Sequence, residues 1–349
     1  MADKLEVRTY RSKSGHIIYR LTIEAFHEFW TFVYLVITSP SHNPPLRVLI
    51  DTGSGFGRSN ADLEQGLKDI ADQEDRFSGW DQLTHILITH GHIDHFGGLP
   101  FLRSRTSAKV GIHELDHRTV IHYEDRLTTV SKKLEEYLYQ AGLNSQEVTS
   151  LIEIYRASKL TYEDVDIDFT YEDIGMTLGP FTMLHVPGHC PGQVVIRLDE
   201  ILFCGDHILP EISPHQAPEC LTLNTGLDHY LNSLQKLRSW VDGIKLGLPG
   251  HEGEVSHLRR RIQEIESIHQ DRFQKVLHFL DTPHTVKEIA FNLFGEVHGY
   301  QGYNRLLALE EAGAHIEYLY LRGLLEIDNL DEITSADVPI PIYYIRTIP

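Results

Sequence analysis

The polar and apolar positions of the first fifty residues follow a strand-like pattern that turn formers interrupt. Ile17-Ile18-Tyr19, the run 29–37 and Leu46-Arg47-Val48-Leu49-Ile50 are rich in β-branched and aromatic residues, which predicts three strands. Asp51-Thr52-Gly53-Ser54-Gly55 breaks the last of them. Leu63, Leu67 and Ile70 then recur at helical spacing over 61–72, and His85-Ile86-Leu87-Ile88-Thr89 reads as a short buried strand. Between His113 and Leu160 the period is helical, with Leu127, Val130, Leu134, Leu138, Val148, Leu151, Ile152 and Tyr155 on it. Gly142-Leu143-Asn144-Ser145 breaks that stretch into two helices. Strands resume at 176–178, 181–186, 194–198 and 201–204. Strands alternating with helices predict a layered α/β architecture, with 113–160 as a helical insertion.

The last segment changes character. A long helix is expected from about Val255 to Leu280. Thr285-Val286-Lys287-Glu288 forms a capping box with Gly295 as the stop, and a third helix covers about Gln301 to Tyr320. Gly323 leads into Leu324-Leu325-Glu326-Ile327, a further strand. Helix, helix, helix, strand predicts a small winged-helix-like module over 256–349, appended to a main domain over 1–255. No low-complexity tract and no internal repeat interrupts this order.

Composition narrows the classes. A hydrophobic fraction of 41% and a charged fraction of 23% describe an ordinary globular chain of 349 residues. The formal net charge of -19 argues against generic affinity for nucleic acid or anionic membrane. It leaves room for a local basic groove, for which Arg103, Arg105, Lys109 and Arg259-Arg260-Arg261 are the candidates, a solvated helix face being the competing reading of the arginine run. The apolar run 29–37 is too short to span a bilayer, and the first residues lack the apolar core of a signal peptide. Cys190, Cys204 and Cys220 are too few and scattered for a disulfide framework. The expectation is a cytoplasmic protein without membrane association. The unusual count is histidine, at 22.

Several of those histidines cluster in Thr89-His90-Gly91-His92-Ile93-Asp94-His95, directly after a strand and before Gly97-Gly98. A strand end followed by a loop fans side chains around a point, and neutral imidazole with carboxylate suits Zn²⁺, and also Mn²⁺ or Fe²⁺. Four solvated surface residues are the bland alternative. Downstream the pattern recurs: His189 in Val186-Pro187-Gly188-His189-Cys190-Pro191-Gly192, Asp206 in Phe203-Cys204-Gly205-Asp206, and His251 in Leu248-Pro249-Gly250-His251. A lone histidine is more often a structural hydrogen-bonding group than a ligand. The recurrence of apolar strand, glycine, then His or Asp favours ligands.

His90-x-His92-x-Asp94-His95 with His189, Asp206 and His251 resembles the metallo-β-lactamase superfamily over about residues 15–255. The resemblance implies a four-layered αβ/βα sandwich with a dinuclear site at one edge of its sheets. It implies that His90, His92 and His189 hold one ion and that Asp94, His95 and His251 hold the other. Asp206 would bridge them, and Asp51 would orient a ligand from behind. Two Zn²⁺ are the expected cofactors, iron or manganese being compatible with the same ligands. The module after residue 255 looks like that of the branch containing a β-lactamase-like endoribonuclease.

Such a centre implies a hydrolase in which a metal-bridged hydroxide attacks a carbonyl carbon or phosphorus, with Asp94 assisting proton transfer. The preferred reading is hydrolysis of a small ester, thioester or lactone, the insertion offering Tyr, His and Leu side chains to an acyl chain. The alternative is a single-stranded RNA endonuclease, which the acidic balance disfavours. A non-catalytic binding or regulatory protein is the third reading, disfavoured by Glu310, Glu311 and Glu317 on the third helix. Cys190 is read as a packed residue rather than a nucleophile. His298, Tyr300 and Tyr303 are weaker candidates for a contribution to the site. Self-association is compatible with the sequence.

Overall fold

The structure is a computed structural model that describes residues 6–159, 162–296 and 299–347. Seven strands form the first sheet in sequential order: β1 (Val7–Arg11), β2 (Ile17–Phe26), β3 (Phe29–Ile37), β4 (Arg47–Ile50), β5 (His85–Leu87), β6 (Lys109–Ile112) and β7 (Phe169–Thr170). β1 to β4 pair antiparallel, and β4 to β7 pair parallel. The second sheet contains β8 (Thr177–Leu178), β9 (Phe181–His185), β10 (Val194–Leu198), β11 (Ile201–Gly205) and β12 (Leu246–Pro249). Its pairs are antiparallel except β11 with β12.

One core joins the two sheets. Ile18, Tyr34, Val36, Val48 and Ile50 of the first pack with Phe181, Met183, Ile196, Phe203 and Leu248 of the second. Because β4 and β11 are covered on both faces, they read as near-continuous apolar runs rather than alternating ones. The Tyr34 hydroxyl donates to the Pro249 carbonyl at 2.6 Å, tying the two sheets where β12 ends. The expected α/β sandwich is present.

Helices fill the crossovers. α1 (Ser59–Ala71) buries Leu63, Leu67 and Ile70, the stripe its periodicity marks. Two single-turn helices, α2 (Ile93–Phe96) and α3 (Leu99–Arg103), follow β5, and α4 (Glu114–Ile121) follows β6. α5 (Tyr123–Gln140) and α6 (Ser145–Ser158) flank the break predicted at 142–145, where Asn144 caps α6 with Glu147 in a capping box. Leu160, the expected end of the insertion, lies outside the described residues. α7 (Leu227–Trp240), like β6 and β7, has no counterpart among the elements expected from the sequence. Its signal was nonetheless there, since Leu227, Tyr230, Leu234 and Leu237 recur at helical spacing and are all buried.

Contacts divide the chain into two compact units. The first takes the described residues of Met1–Tyr123, Tyr162–Pro214 and Gln235–Ile262. The second takes those of Glu124–Thr161, His215–Leu234 and Gln263–Pro349. This differs from a single cut near 255 with 113–160 inside the main domain. The physical reason is the partners chosen within the second unit. The Tyr137 hydroxyl of α5 donates to the Leu309 carbonyl at 2.7 Å, and Glu147 of α6 pairs with Lys287 at 3.0 Å and Arg305 at 2.6 Å.

The second unit contains most of α8 (Leu258–Phe279), then α9 (Val286–Phe294), α10 (Gly302–Leu321) and an antiparallel ribbon of β13 (Leu325–Ile327) and β14 (Tyr344–Arg346). α9 begins at the predicted capping box and ends at Gly295. Tyr300 sets its ring edgewise to Phe291, 5.8 Å between centroids, and Tyr303 is partly exposed in the same unit. His298 lies outside the described residues. Among the described residues no helix is long and apolar enough to cross a membrane.

Phe203 is buried against Tyr34, with ring centroids 5.2 Å apart, at the centre of the inter-sheet core. Phe203→Ala is expected to cost about 3–5 kcal/mol of unfolding free energy. Denaturant titration checks this, and the midpoint is expected to fall without a change in slope.

Candidate metal centre

Parallel strands point their carboxyl ends the same way, and ligand crevices form outside those ends. β4 ends at Ile50 and delivers Asp51, β5 ends at Leu87 and delivers residues 89–95, β11 delivers Asp206 and β12 delivers His251. His189 arrives on the loop between β9 and β10. Within 90–95 the backbone changes type: His92 is extended (φ −96°, ψ 141°) and α2 starts at Ile93. The extended stretch brings the alternate residues His90 and His92 to one side, and the helical turn then redirects Asp94 and His95.

The seven proposed ligands fall into two groups. Ligand atoms of His90, His92, His189 and Asp206 lie within 4.8 Å of one another, as do those of Asp94, His95 and His251. Asp206 faces both. Its Oδ2 is 3.9 Å from His90 Nε2, 3.7 Å from His189 Nε2 and 3.2 Å from His251 Nε2, and its Oδ1 is 3.4 Å from His95 Nε2.

Hydrogen bonds behind the imidazoles fix which nitrogen faces inward. The carboxylate of Asp51 can only accept, and its Oδ2 receives both the Thr89 hydroxyl at 2.8 Å and His95 Nδ1 at 2.9 Å, while Thr89 N–H donates to Oδ1 at 2.8 Å. With its one proton spent on Asp51, the Thr89 oxygen accepts from His90 Nδ1 at 3.0 Å. His251 Nδ1 donates to the Trp30 carbonyl at 2.7 Å. All three rings therefore carry a proton on Nδ1 and turn Nε2 toward the centre. Asp51 itself sits at φ +61°, a left-handed conformation that aspartate tolerates better than most residues.

The electrostatics ask for positive charge. Burial alone would neutralise every group. Against it, Asp206 and Asp94 push His251 up to about 10 and His95 well above the usual imidazole range. Those imidazoles in turn override burial to hold both carboxylates well below theirs. His90 is driven down by burial and stays neutral. Protons alone would satisfy the carboxylates only by setting N–H groups face to face, since His95 Nε2 lies 3.3 Å from His251 Nε2. Divalent cations would meet the same demand with lone pairs directed at them, and imidazole plus carboxylate is a donor set that suits zinc, iron or manganese. The residues fit a metal.

All eight site residues expected from the sequence thus meet within the first unit. Four of the basic candidates make contacts within the chain. Arg261 is buried and donates to the Leu209 and Ile212 carbonyls at 2.7 and 2.8 Å, while Arg259 pairs with Asp242. Arg103 pairs with Asp168 at 2.6 Å and Arg105 lies over the Phe101 ring. Cys190 is packed, as expected. Two supporting residues escaped the sequence reading: Thr89, described above, and Asp116, whose Oδ2 accepts from Gly91 N–H at 2.7 Å. A third histidine cluster, His269 with Glu311 and His315, lies in the second unit. There the carboxylate is already engaged by Arg272 at 2.8 Å and by the Gln216 N–H at 2.7 Å. Burial drives both histidines down, to about 2 and about 3, and pushes Glu311 up to about 7 despite the Arg272 guanidinium beside it, so the two imidazoles are neutral hydrogen-bonding groups next to an Arg–Glu contact.

The family model of the metallo-beta-lactamase superfamily matches residues 34–251, a span that contains every one of these candidate ligands. The chain belongs to the metallo-β-lactamase superfamily. Its sequence is 24% identical over 233 residues to an atrochrysone carboxyl ACP thioesterase from Aspergillus fumigatus, covering 66% of this chain and 55% of that protein. It is 26% identical over 196 residues to a hydroxyacylglutathione hydrolase from a Shewanella species, covering 51% of this chain and 60% of the relative. The chain thus spans little more than half the length of these two curated relatives. In fold it is similar to a metallo-β-lactamase family protein from Thermus thermophilus, with a TM-score of 0.72 at 24% identity, covering 95% of this chain and 98% of that one. A β-lactamase domain protein from Burkholderia ambifaria gives 0.70 at 19% identity, covering 99% and 97%. Both likenesses extend over the second unit.

Two substitutions test this geometry. Asp51→Asn keeps the shape but weakens the hold on His95 and Thr89, and is expected to lower metal affinity by roughly 10–100-fold in a competitive chelator titration. A Cβ at Gly250 would lie 2.3 Å from Asp206 Oδ1 and 2.6 Å from His95 Cε1. Gly250→Ala is therefore expected to lower bound metal measured by elemental analysis, with the protein still folded by circular dichroism.

Proposed function

We propose that the protein is a hydrolase with two divalent cations, zinc in preference to iron or manganese, acting on a small ester, thioester or lactone. In this reading His90, His92 and His189 hold one ion, Asp94, His95 and His251 hold the other, and Asp206 serves both. The observation that carries it is the Asp206 carboxylate, within 4 Å of imidazoles from both groups. When bound, the cations supply Lewis acidity, polarising the scissile carbonyl and lowering the pKa of water toward about 7.

The chain's own residues do the rest. Asp51 and the Trp30 carbonyl keep His95 and His251 in the tautomer that presents Nε2. Asp94 contacts His251 and His95 through Oδ2, at 3.2 and 3.5 Å, so Oδ1 is the atom that would take a proton or hand one to the leaving group. No side-chain nucleophile is required, consistent with a buried Cys190 whose thiol is turned to Asp116. The thioesterase and the hydroxyacylglutathione hydrolase among the relatives support an acyl substrate. Of the arginine run that would have favoured RNA, Arg261 donates to carbonyls of its own chain and Arg259 pairs with Asp242.

Metal-reconstituted protein assayed on a thioester, a lactone, a phosphodiester and single-stranded RNA is expected to turn over the acyl substrates. RNA cleavage with inert acyl substrates would reverse the assignment, and inactivity on all four would favour a binding role. Asp206→Ala and His189→Ala are each expected to lose metal and turnover together, read by elemental analysis and by rate. Full metal occupancy in both variants would mean that other residues are the ligands.

A further inference from the structure

We propose that Asp116 is a positioning residue for the metal centre: its buried carboxylate pins the loop carrying His90 and His92 to the loop carrying His189. The proposal rests on the metal-centre reading above and extends it to a residue outside the ligand set.

Asp116 lies in the first turn of α4, on the segment that leaves the carboxyl end of β6. An acidic residue there ordinarily serves its own helix by facing the N-terminal dipole from solvent. Asp116 does something else, because it is fully buried, at 0% exposure. Its Oδ2 accepts the backbone N–H of Gly91, between His90 and His92, at 2.7 Å. Its Oδ1 accepts the thiol of Cys190, next to His189, at 3.6 Å. One carboxylate thus holds two loops that are far apart in sequence.

The glycines of both loops are cut to admit it. A Cβ on Gly91 would lie 3.0 Å from Asp116 Cγ, and one on Gly192 would lie 2.7 Å from the same atom and 2.9 Å from the Asp116 backbone nitrogen. A side chain at Gly192 would force Asp116 to shift, and one at Gly91 would press against its carboxylate. This accounts for two residues that ligation alone leaves unexplained, Gly91 inside the histidine motif and Gly192 three residues beyond His189. Through these contacts Asp116 fixes the separation of the loops bearing His90, His92 and His189. Both loops it holds carry residues of the first group, His90, His92 and His189, so its influence is directed at that group.

The test uses apo protein titrated with Co²⁺ and then Zn²⁺ against a competing chelator, following the visible spectrum of Co²⁺. Wild type is expected to fill in two steps, and His189→Ala identifies the step that belongs to the first group. Asp116→Ala is expected to weaken that step by roughly 10–100-fold and to shift its spectrum, leaving the other step closer to wild type. Asp116→Asn keeps an acceptor for Gly91 and should lose less. Gly192→Ala, which leaves the carboxylate intact but pushes it off its seat, should weaken the same step, and it keeps the test decisive if Asp116→Ala does not fold. A purely structural Asp116 would lower the apo melting temperature while leaving both affinities and both spectra at wild-type values in Asp116→Asn and Gly192→Ala, and that result would overturn the proposal. Absence of metal uptake by wild type would overturn the metal-centre reading as well, so the two failures are distinct.

Discussion

Buried negative charge is the constraint around which the first unit is arranged. Asp94 and Asp206 sit among His90, His95, His189 and His251 with little access to water. Removing carboxylates from solvent costs several kcal/mol each unless opposite charge accompanies them. The surrounding imidazoles meet that demand only by taking up protons that bring N–H groups into opposition, or by sharing cations. The same crowding that makes the bare site electrostatically tense supports the proposal that it holds cations. Cation binding and the local folding of these loops are therefore expected to be linked, because the ions release protons and relieve repulsion together.

The fold answers this constraint with rigid supports. The residues of the centre follow the carboxyl ends of β4, β5, β11 and β12, with His189 on the loop between β9 and β10. The His251 loop is secured by the Gly250 carbonyl, which accepts from Phe32 N–H at 2.8 Å, and by the Gly250 N–H, which donates to the Gly205 carbonyl at 2.8 Å. The latter bond joins the His251 loop directly to the residue preceding Asp206. A second layer of hydrogen bonds, from Asp51, Thr89 and the Trp30 carbonyl, then sets ring orientation. Precision in such a centre comes from this layer, since an imidazole with a free second nitrogen would rotate away from a fixed ligand direction.

The second unit follows a separate logic. Its helices are held by a buried hydroxyl-to-carbonyl bond from Tyr137, the pairing of Glu147 with Lys287 and Arg305, and the Arg272–Glu311 pair, and burial keeps His269 and His315 uncharged. Histidine abundance alone thus says little about chemistry. In the first unit imidazoles meet carboxylates that lack other partners of opposite charge. In the second the carboxylate already has its guanidinium.

Much of this was legible in the chain. The candidate ligands stood out because the runs that carry them follow apolar strands and glycine-flanked turns, a local arrangement that survives without knowledge of the fold. Element type was legible for the same reason: β3, α1, α6 and the capping box before α9 are local patterns of side-chain size and polarity. What the sequence left open depends on partners distant along the chain. Asp116 meets Gly91, 25 residues away, and Cys190, 74 residues away, and the sequence beside it does not announce either contact. The grouping of 124–159 with the carboxyl-terminal helices was hidden likewise, because an amphipathic stripe declares that a face is buried without naming what buries it. Sequence therefore determined which residues had the chemistry to hold a cation and which local structures carried them. Tertiary structure alone decided which carboxylates meet imidazoles and which meet guanidinium groups, because charge compensation acts through space over a few ångströms and takes no account of separation along the chain.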